Sequence, residues 1–433
     1  MKIIRADDAG FAEFFRKLRL RGGAFSAELL ATVTDIISEV AAKGDDALFD
    51  YTAKFDGHQL TEATVEVTDE ERKDALALIA PADLEVIKLA ARRIENYHRH
   101  QITQGYMISS EAGVELGQIV LPLQRVGIYA PGGKAFYPST LLMAAIPARI
   151  AGVEEIIVVS PSKDGRLNPL IAAAAEVCGV RRIFKIGGVQ AIAALAYGTK
   201  SIPRVDKIVG PGNAYVAAAK KLVFGQVAID MIAGPSEVVI IADKTASASF
   251  VAADMLAQAE HDEMAAAVLL TPLADLARDV SQQIDNQLKT LPRRKIMEDS
   301  LGNYGAIIIT ADIAQAVELA NQFAPEHLEL MLENPSEILK QVRSAGSVFL
   351  GSFTPEALGD YIAGANHILP TQGTARFSSP LGVYDFYKRM SVLSFSQEAF
   401  GRLSQQTAHF AKIEGLEAHA NSVIVRSNSV KDE

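Results

Sequence analysis

The sequence predicts an α/β protein built from two Rossmann-like domains with open parallel sheets, a helical N-terminal region and a helical C-terminal arm. Three observations carry this. From about residue 117, short β-rich runs repeatedly end in glycine or proline turns. Runs with helical spacing lie between them. Residues 6–105 and the tail after about 385 show a helical period instead. Strands alternating with helices imply parallel strands joined by crossover helices.

The elements follow in chain order. The opening MKIIRADDAG turns polar too soon for a secretory signal. AELLATVTDIISEVAAKG has helical spacing of its apolar residues and stops on Gly44. ADLEVIKLAARRIENYHRH is a second amphipathic helix, with His98 and His100 expected to be solvated in its polar tail. QRVGIYAPGG, EEIIVVSPS, RRIFKIGG and DKIVGPGN read as strands, and STLLMAAIPARIAG, NPLIAAAAEVCG, AIAALAYG and AYVAAAKKLVFG as the helices between. EVVIIAD, AAAVLLTP, GAIIIT and SVFLGS repeat the pattern. The strand at 125–130 is expected to run on into the one at 238–242. That gives an N-terminal helical segment 1–25, a larger α/β domain of 26–129 with 236–381, an inserted second α/β domain of 130–235, and a polar helical arm of 382–433. Such an arm is a lid or a dimer contact.

Composition excludes several classes. The 433 residues are 49% hydrophobic and 22% charged, which suits a globular chain. The net charge is −10, without the basic stripe that nucleic acid requires. The most apolar long stretch, 140–160, is interrupted by Pro147, Arg149, Glu154 and Glu155, so it is no membrane span. A cytoplasmic location is expected. The single cysteine, Cys178, rules out an intrachain disulfide and a thiolate cluster. Any metal must therefore use imidazole, carboxylate or amide oxygen.

Four segments could carry chemistry. In FAPEHLEL, Pro325 is expected at the first position of a helix, with Glu326 and His327 in its first turn. There Glu326 caps the helix, or the pair moves protons; the segment leaves both open. In DMLAQAEHDEMA, Gln258 and His261 are three apart on one helical face, where they can ligate one metal or merely end a solvated helix. TPEALGDYIAGANHILPT offers Asp360 and His367, and IEGLEAHANS offers Glu414 and His419. The turns in IGGVQAIAA and VGPGNAYVAAAK can hold phosphate through backbone N–H groups, although neither matches G-x-G-x-x-G. They suggest a ligand at a switch point of the sheet.

VGIYAPGG, GGVQAIAALAYGT, VDKIVGPGNAYV, DMIAGPSEV, AQAEHD, FAPEHLEL, TPEALGDYIAG, NHILPT, GTARFSSPLGVYDF and EGLEAHANS resemble, in order, the motifs of the histidinol dehydrogenases. The likeness runs from about residue 26 to 425, with departures at Ala365 and Gln372. It implies oxidation of L-histidinol through L-histidinaldehyde to L-histidine with two NAD. It implies one Zn2+ per subunit, held by Gln258, His261, Asp360 and His419. Glu326 and His327 would be the acid–base pair. Ser236, His367 and Glu414 would contact substrate, joined by the metal residues and His327. Tyr129, Gln190 and Asn213 would touch NAD. The C-terminal segment would be a dimerisation arm, swapped in a homodimer with shared active sites that takes His367, Glu414 and His419 from the neighbouring subunit. A zinc hydrolase and a nucleotide-sensing module are the rival readings.

Overall fold

The computed structural model describes residues 1–21, 25–132, 137–162 and 164–429. The strands, in chain order, are β1 (Lys2–Arg5), β2 (Tyr106–Glu111), β3 (Val114–Pro122), β4 (Arg125–Tyr129), β5 (Glu155–Val159), β6 (Arg182–Phe184) and β7 (Lys207–Val209). They continue as β8 (Ala228–Ile229), β9 (Glu237–Ala242), β10 (Ala266–Thr271), β11 (Ala306–Ile309), β12 (His327–Met331), β13 (Ser347–Leu350) and β14 (Tyr387–Phe395). The chain forms two compact units, residues 1–101 with 123–386, and residues 102–122 with 387–433.

The larger unit holds two open, wholly parallel sheets. One has six strands in the order β1-β11-β10-β9-β12-β13, and the other has five in the order β6-β5-β4-β7-β8. The central strands β9, β10 and β12 are buried at every position, as expected of strands covered by helices on both faces. The six-stranded sheet packs its alternate residues into two cores. Val239, Ile241, Leu328 and Leu330 face one, and Val238, Ile240, Ala242 and Met331 face the other.

Several expectations are corrected. β4 lies between β5 and β7 in the five-stranded sheet, so it does not run on into β9. The helix Ala27–Lys43 joins the same sheet's core through Val33, Ile36, Ile37 and Val40, a helical stripe that meets the small-residue helices Gly188–Tyr197 and Ala214–Val223. The N-terminal segment opens with strand β1 on the edge of the six-stranded sheet. FAPEHLEL starts no helix. The helix Ile313–Phe323 ends before it, Ala324 turns left-handed at φ 53°, and His327–Met331 is β12, between β9 and β13. Pro325 thus follows a helix end, where it blocks continuation. His98 is buried, with Nδ1 2.8 Å from Gln101 Oε1 and Nε2 3.4 Å from Asn366 Nδ2.

The smaller unit contains the arm. Its residues 387–395 are not helical. They form β14, antiparallel to β3, which pairs in turn with the fully exposed β2. Two helices follow, Gln397–Ile413 and Glu417–Ser429, packed on each other.

Candidate active site

The residues singled out in the larger unit gather at the N-terminal edge of the six-stranded sheet. Ser236 precedes β9, His261 precedes β10, Glu326 immediately precedes β12, and His327 opens it. Gln258 is the penultimate residue of the helix Ala248–Ala259 and is fully buried. Asp360 lies in a short stretch of wide helix, Gly359–Ala363, after β13.

His327 is the centre of the cluster. Its Nδ1 is 3.3 Å from the Glu237 carbonyl oxygen and 3.3 Å from Gln258 Oε1. Two acceptors there place the proton on Nδ1, which leaves Nε2 as the basic atom. That Nε2 is buried without a hydrogen-bond partner, and Asp360 Oδ1 lies 3.7 Å from it. Glu326 Oε2 is 3.9 Å from Nδ1 and accepts the Glu237 N–H at 3.1 Å. One main-chain residue, Glu237, therefore orients both members of the pair.

A third acid, Glu356, was not anticipated. It is 2% exposed, with Oε1 3.7 Å from His327 Nδ1 and 4.0 Å from His261 Nε2. Its N–H donates to Glu329 Oε1 at 3.0 Å. Spacing held the signal: Glu356 and Asp360 are four apart in TPEALGD and share a helical face. Glu329, two beyond His327 on a strand, shares that residue's face of the sheet.

So many acids in a dry site cannot all be ionised. Burial pushes the Glu326 carboxyl up to about 7 and that of Glu356 up to about 8, with the His327 charge opposing both shifts. Burial works against a charged His327 ring. The carboxyl groups of Glu356, Glu326 and Asp360 outweigh it and raise the imidazole well above its usual value, a pull that a divalent cation held by Glu356 and Asp360 would offset, returning the ring to its neutral, basic form. Burial lowers His261 and His367, keeping them neutral. Burial would raise Asp360, but its His327 contact and the nearby imidazoles bring it below the usual carboxylate range.

The donors suit a small divalent cation. Among the described residues, one ligand atom each from His261, Glu356 and Asp360 lie within 4.8 Å of one another. A neutral imidazole and an ionised carboxylate are the forms that bind metal. Gln258 Nε2 is buried without a partner. This nitrogen and oxygen set fits zinc.

His367 lies in the larger unit beside Asp360 of its own chain, which corrects the expectation that a neighbouring subunit supplies it. Nδ1 donates to the Asp360 carbonyl at 2.9 Å, and Nε2 is 3.3 Å from Thr140 Oγ1. Glu414 and His419 belong to the smaller unit, at the end of one helix and within the next, and both are exposed.

The glycine turns lie at the C-terminal edge of the five-stranded sheet. Tyr129 ends β4, and its hydroxyl accepts the Gly188 N–H at 3.1 Å. Gln190 is 1% exposed, with neither amide atom hydrogen-bonded. Asn213 caps the helix Ala214–Val223, accepting from Tyr215 and Val216 N–H at 3.1 Å each. Gly210 has φ +110°, and a Cβ there would lie 2.3 Å from the Tyr129 carbonyl oxygen. β4 and β7 are neighbours reached by chains leaving in opposite directions, which is a topological switch point.

The family model described as histidinol dehydrogenase matches residues 20–427. The histidinol dehydrogenase of Syntrophotalea carbinolica is 52% identical over 426 residues, 98% of this chain and 99% of that one. The Aquifex aeolicus enzyme of the same name is 51% identical over 425 residues, 98% of this chain and 99% of its own. The crystal structure of histidinol dehydrogenase from Elizabethkingia anophelis is 37% identical, with a TM-score of 0.93 over 100% of this chain and 99% of that chain. The chain belongs to the histidinol dehydrogenase family.

Proposed function

We propose that this protein is a zinc-dependent enzyme of histidine biosynthesis that oxidises L-histidinol through L-histidinaldehyde to L-histidine, using two NAD. The observation that carries the reading is the His327 ring, held by Glu237 O with its basic Nε2 free and Glu326 alongside.

Each oxidation removes one hydride and one proton, so each needs a base. His327 Nε2 takes the hydroxyl proton in the first. Glu326, poised near neutrality, takes a proton from water as it adds to the aldehyde. His327 returns its proton to the aldehyde oxygen as the water adds, and the freed Nε2 then takes a proton from the hydrate in the second oxidation. NAD, when bound, accepts the hydride of each step. Tyr129, Gln190 and Asn213 hold it, and the unpartnered amide of Gln190 is the group left to bind. Gln258, His261, Asp360 and His419 hold one zinc per subunit. Zinc, when bound, fixes the imidazole and amine of the substrate. Ser236, His367 and Glu414 orient the rest. Site closure by a burial this deep also keeps bulk water from the aldehyde.

The active form is a homodimer with a swapped arm, in which Glu414 and His419 serve the site of the neighbouring chain. The enzyme works in the cytoplasm. The test supplies histidinol, NAD and zinc and follows NADH and histidine. Two NADH for each histidine are expected; no NADH with zinc present would refute the reading.

A further inference from the structure

We propose that Arg21 is a positioning residue for the proton transfers: by gripping the Glu237 side chain it fixes the main-chain groups that aim Glu326 and His327. The proposal rests on the functional reading above.

Arg21 follows the helix Phe11–Arg19, whose Phe11, Phe15 and Leu18 are anchored in the core of the six-stranded sheet. Its guanidinium and the Glu237 carboxylate are each only 1% exposed, 2.7 Å apart. Nη2 also donates to the Pro235 and Ser236 carbonyls at 3.2 and 3.1 Å, and Nε donates to the Met264 carbonyl at 3.2 Å. The same guanidinium carbon lies 5.9 Å from the centre of the Phe323 ring, the last residue of the helix before Glu326. One rigid fork thus ties together the lead-in to β9 with Ser236, the lead-in to β10 that carries His261, and the helix end before the catalytic pair.

The output of this grip is the Glu237 backbone. Its N–H binds Glu326 Oε2, and its carbonyl sets the proton on His327 Nδ1. Stability alone does not account for such a pair, because a buried ion pair is commonly no better than apolar residues of the same volume. It gives direction instead: a shift of the strand end by a fraction of an ångström would turn the His327 ring and the Glu326 carboxyl away from their targets.

The experiment compares parent protein, the double variant Arg21→Met/Glu237→Leu and the single variant Arg21→Lys, each at verified zinc content, in the NADH assay with histidinol. The apolar double variant is expected to unfold near the parent's temperature. Its kcat should nevertheless fall at least about tenfold while KM for histidinol stays within about threefold. Arg21→Lys keeps the charge and loses the fork, so it should show the same split in milder form, and it decides the matter if the double variant does not fold. Parent kcat in either folded variant overturns the proposal. Absence of NADH from the parent itself would instead sink the functional reading.

Discussion

Replacing Lys220 by methionine removes the cation from a buried ion pair and strands its partner. Lys220 and Asp230 are ion-paired with side chains 2% and 1% exposed, and Lys220 Nζ also donates to the Gly210 carbonyl at 2.8 Å. Breaking a buried pair by deleting one member typically costs about 3–5 kcal/mol. Here Asp230 keeps two N–H donors, Gly210 at 2.7 Å and Met231 at 2.6 Å, which favours the lower end of that range. Converting Asp230 to leucine as well should not recover the loss. It would orphan both N–H groups, at about 1–3 kcal/mol each. Urea unfolding followed by circular dichroism measures the change, with an unaltered slope confirming that the midpoint reports stability. The Gly210 turn adjoins Tyr129 and Asn213, so KM for NAD should rise more than KM for histidinol. A loss below about 1 kcal/mol, the scale of an exposed ion pair, would refute the reasoning.

The remaining predictions concern the site and the core. His327→Ala should lower kcat by about 10²–10⁴-fold with histidinol binding retained by calorimetry, and unchanged turnover would remove it from the mechanism. Mixed with His419→Ala chains and allowed to exchange subunits, it should regain part of the activity; none, despite proven exchange, counts against a shared site. Chelation should abolish turnover and zinc restore it, with elemental analysis finding one metal per active chain. Burial pushes the Cys178 thiol up to about 12, so a thiol reagent at mildly alkaline pH should label it only after denaturation. Rapid labelling of native protein would contradict that burial.

The parallel sheets were legible because strands such as β9 and β10 are short apolar runs flanked by turns, and their covering helices are rich in alanine. β12 was not. HLELM mixes charge with leucine, and only its two strand neighbours explain how His327 and Glu329 come to be buried. β2 was hidden for the opposite reason: YMISSE is exposed throughout and shows no buried face to read. Motif likeness pointed to Glu326, His327, Gln258, His261 and Asp360, and these do converge in the larger unit. Glu356 and Arg21 escaped notice because an isolated Glu or Arg reads as surface until its neighbours are known.

Ala324 constrains how the sequence can drift. Its left-handed backbone is the hinge on which the chain stops coiling and starts extending, two residues before Glu326. For an L-residue that conformation costs roughly 1–2 kcal/mol, and branching at Cβ raises the toll. Glycine would relax it, whereas valine or isoleucine would push the chain to prolong the helix and swing the acid–base pair out of the sheet. Divergence at this position should therefore be confined to glycine, asparagine and similarly compact side chains, even though Ala324 itself touches no reactant.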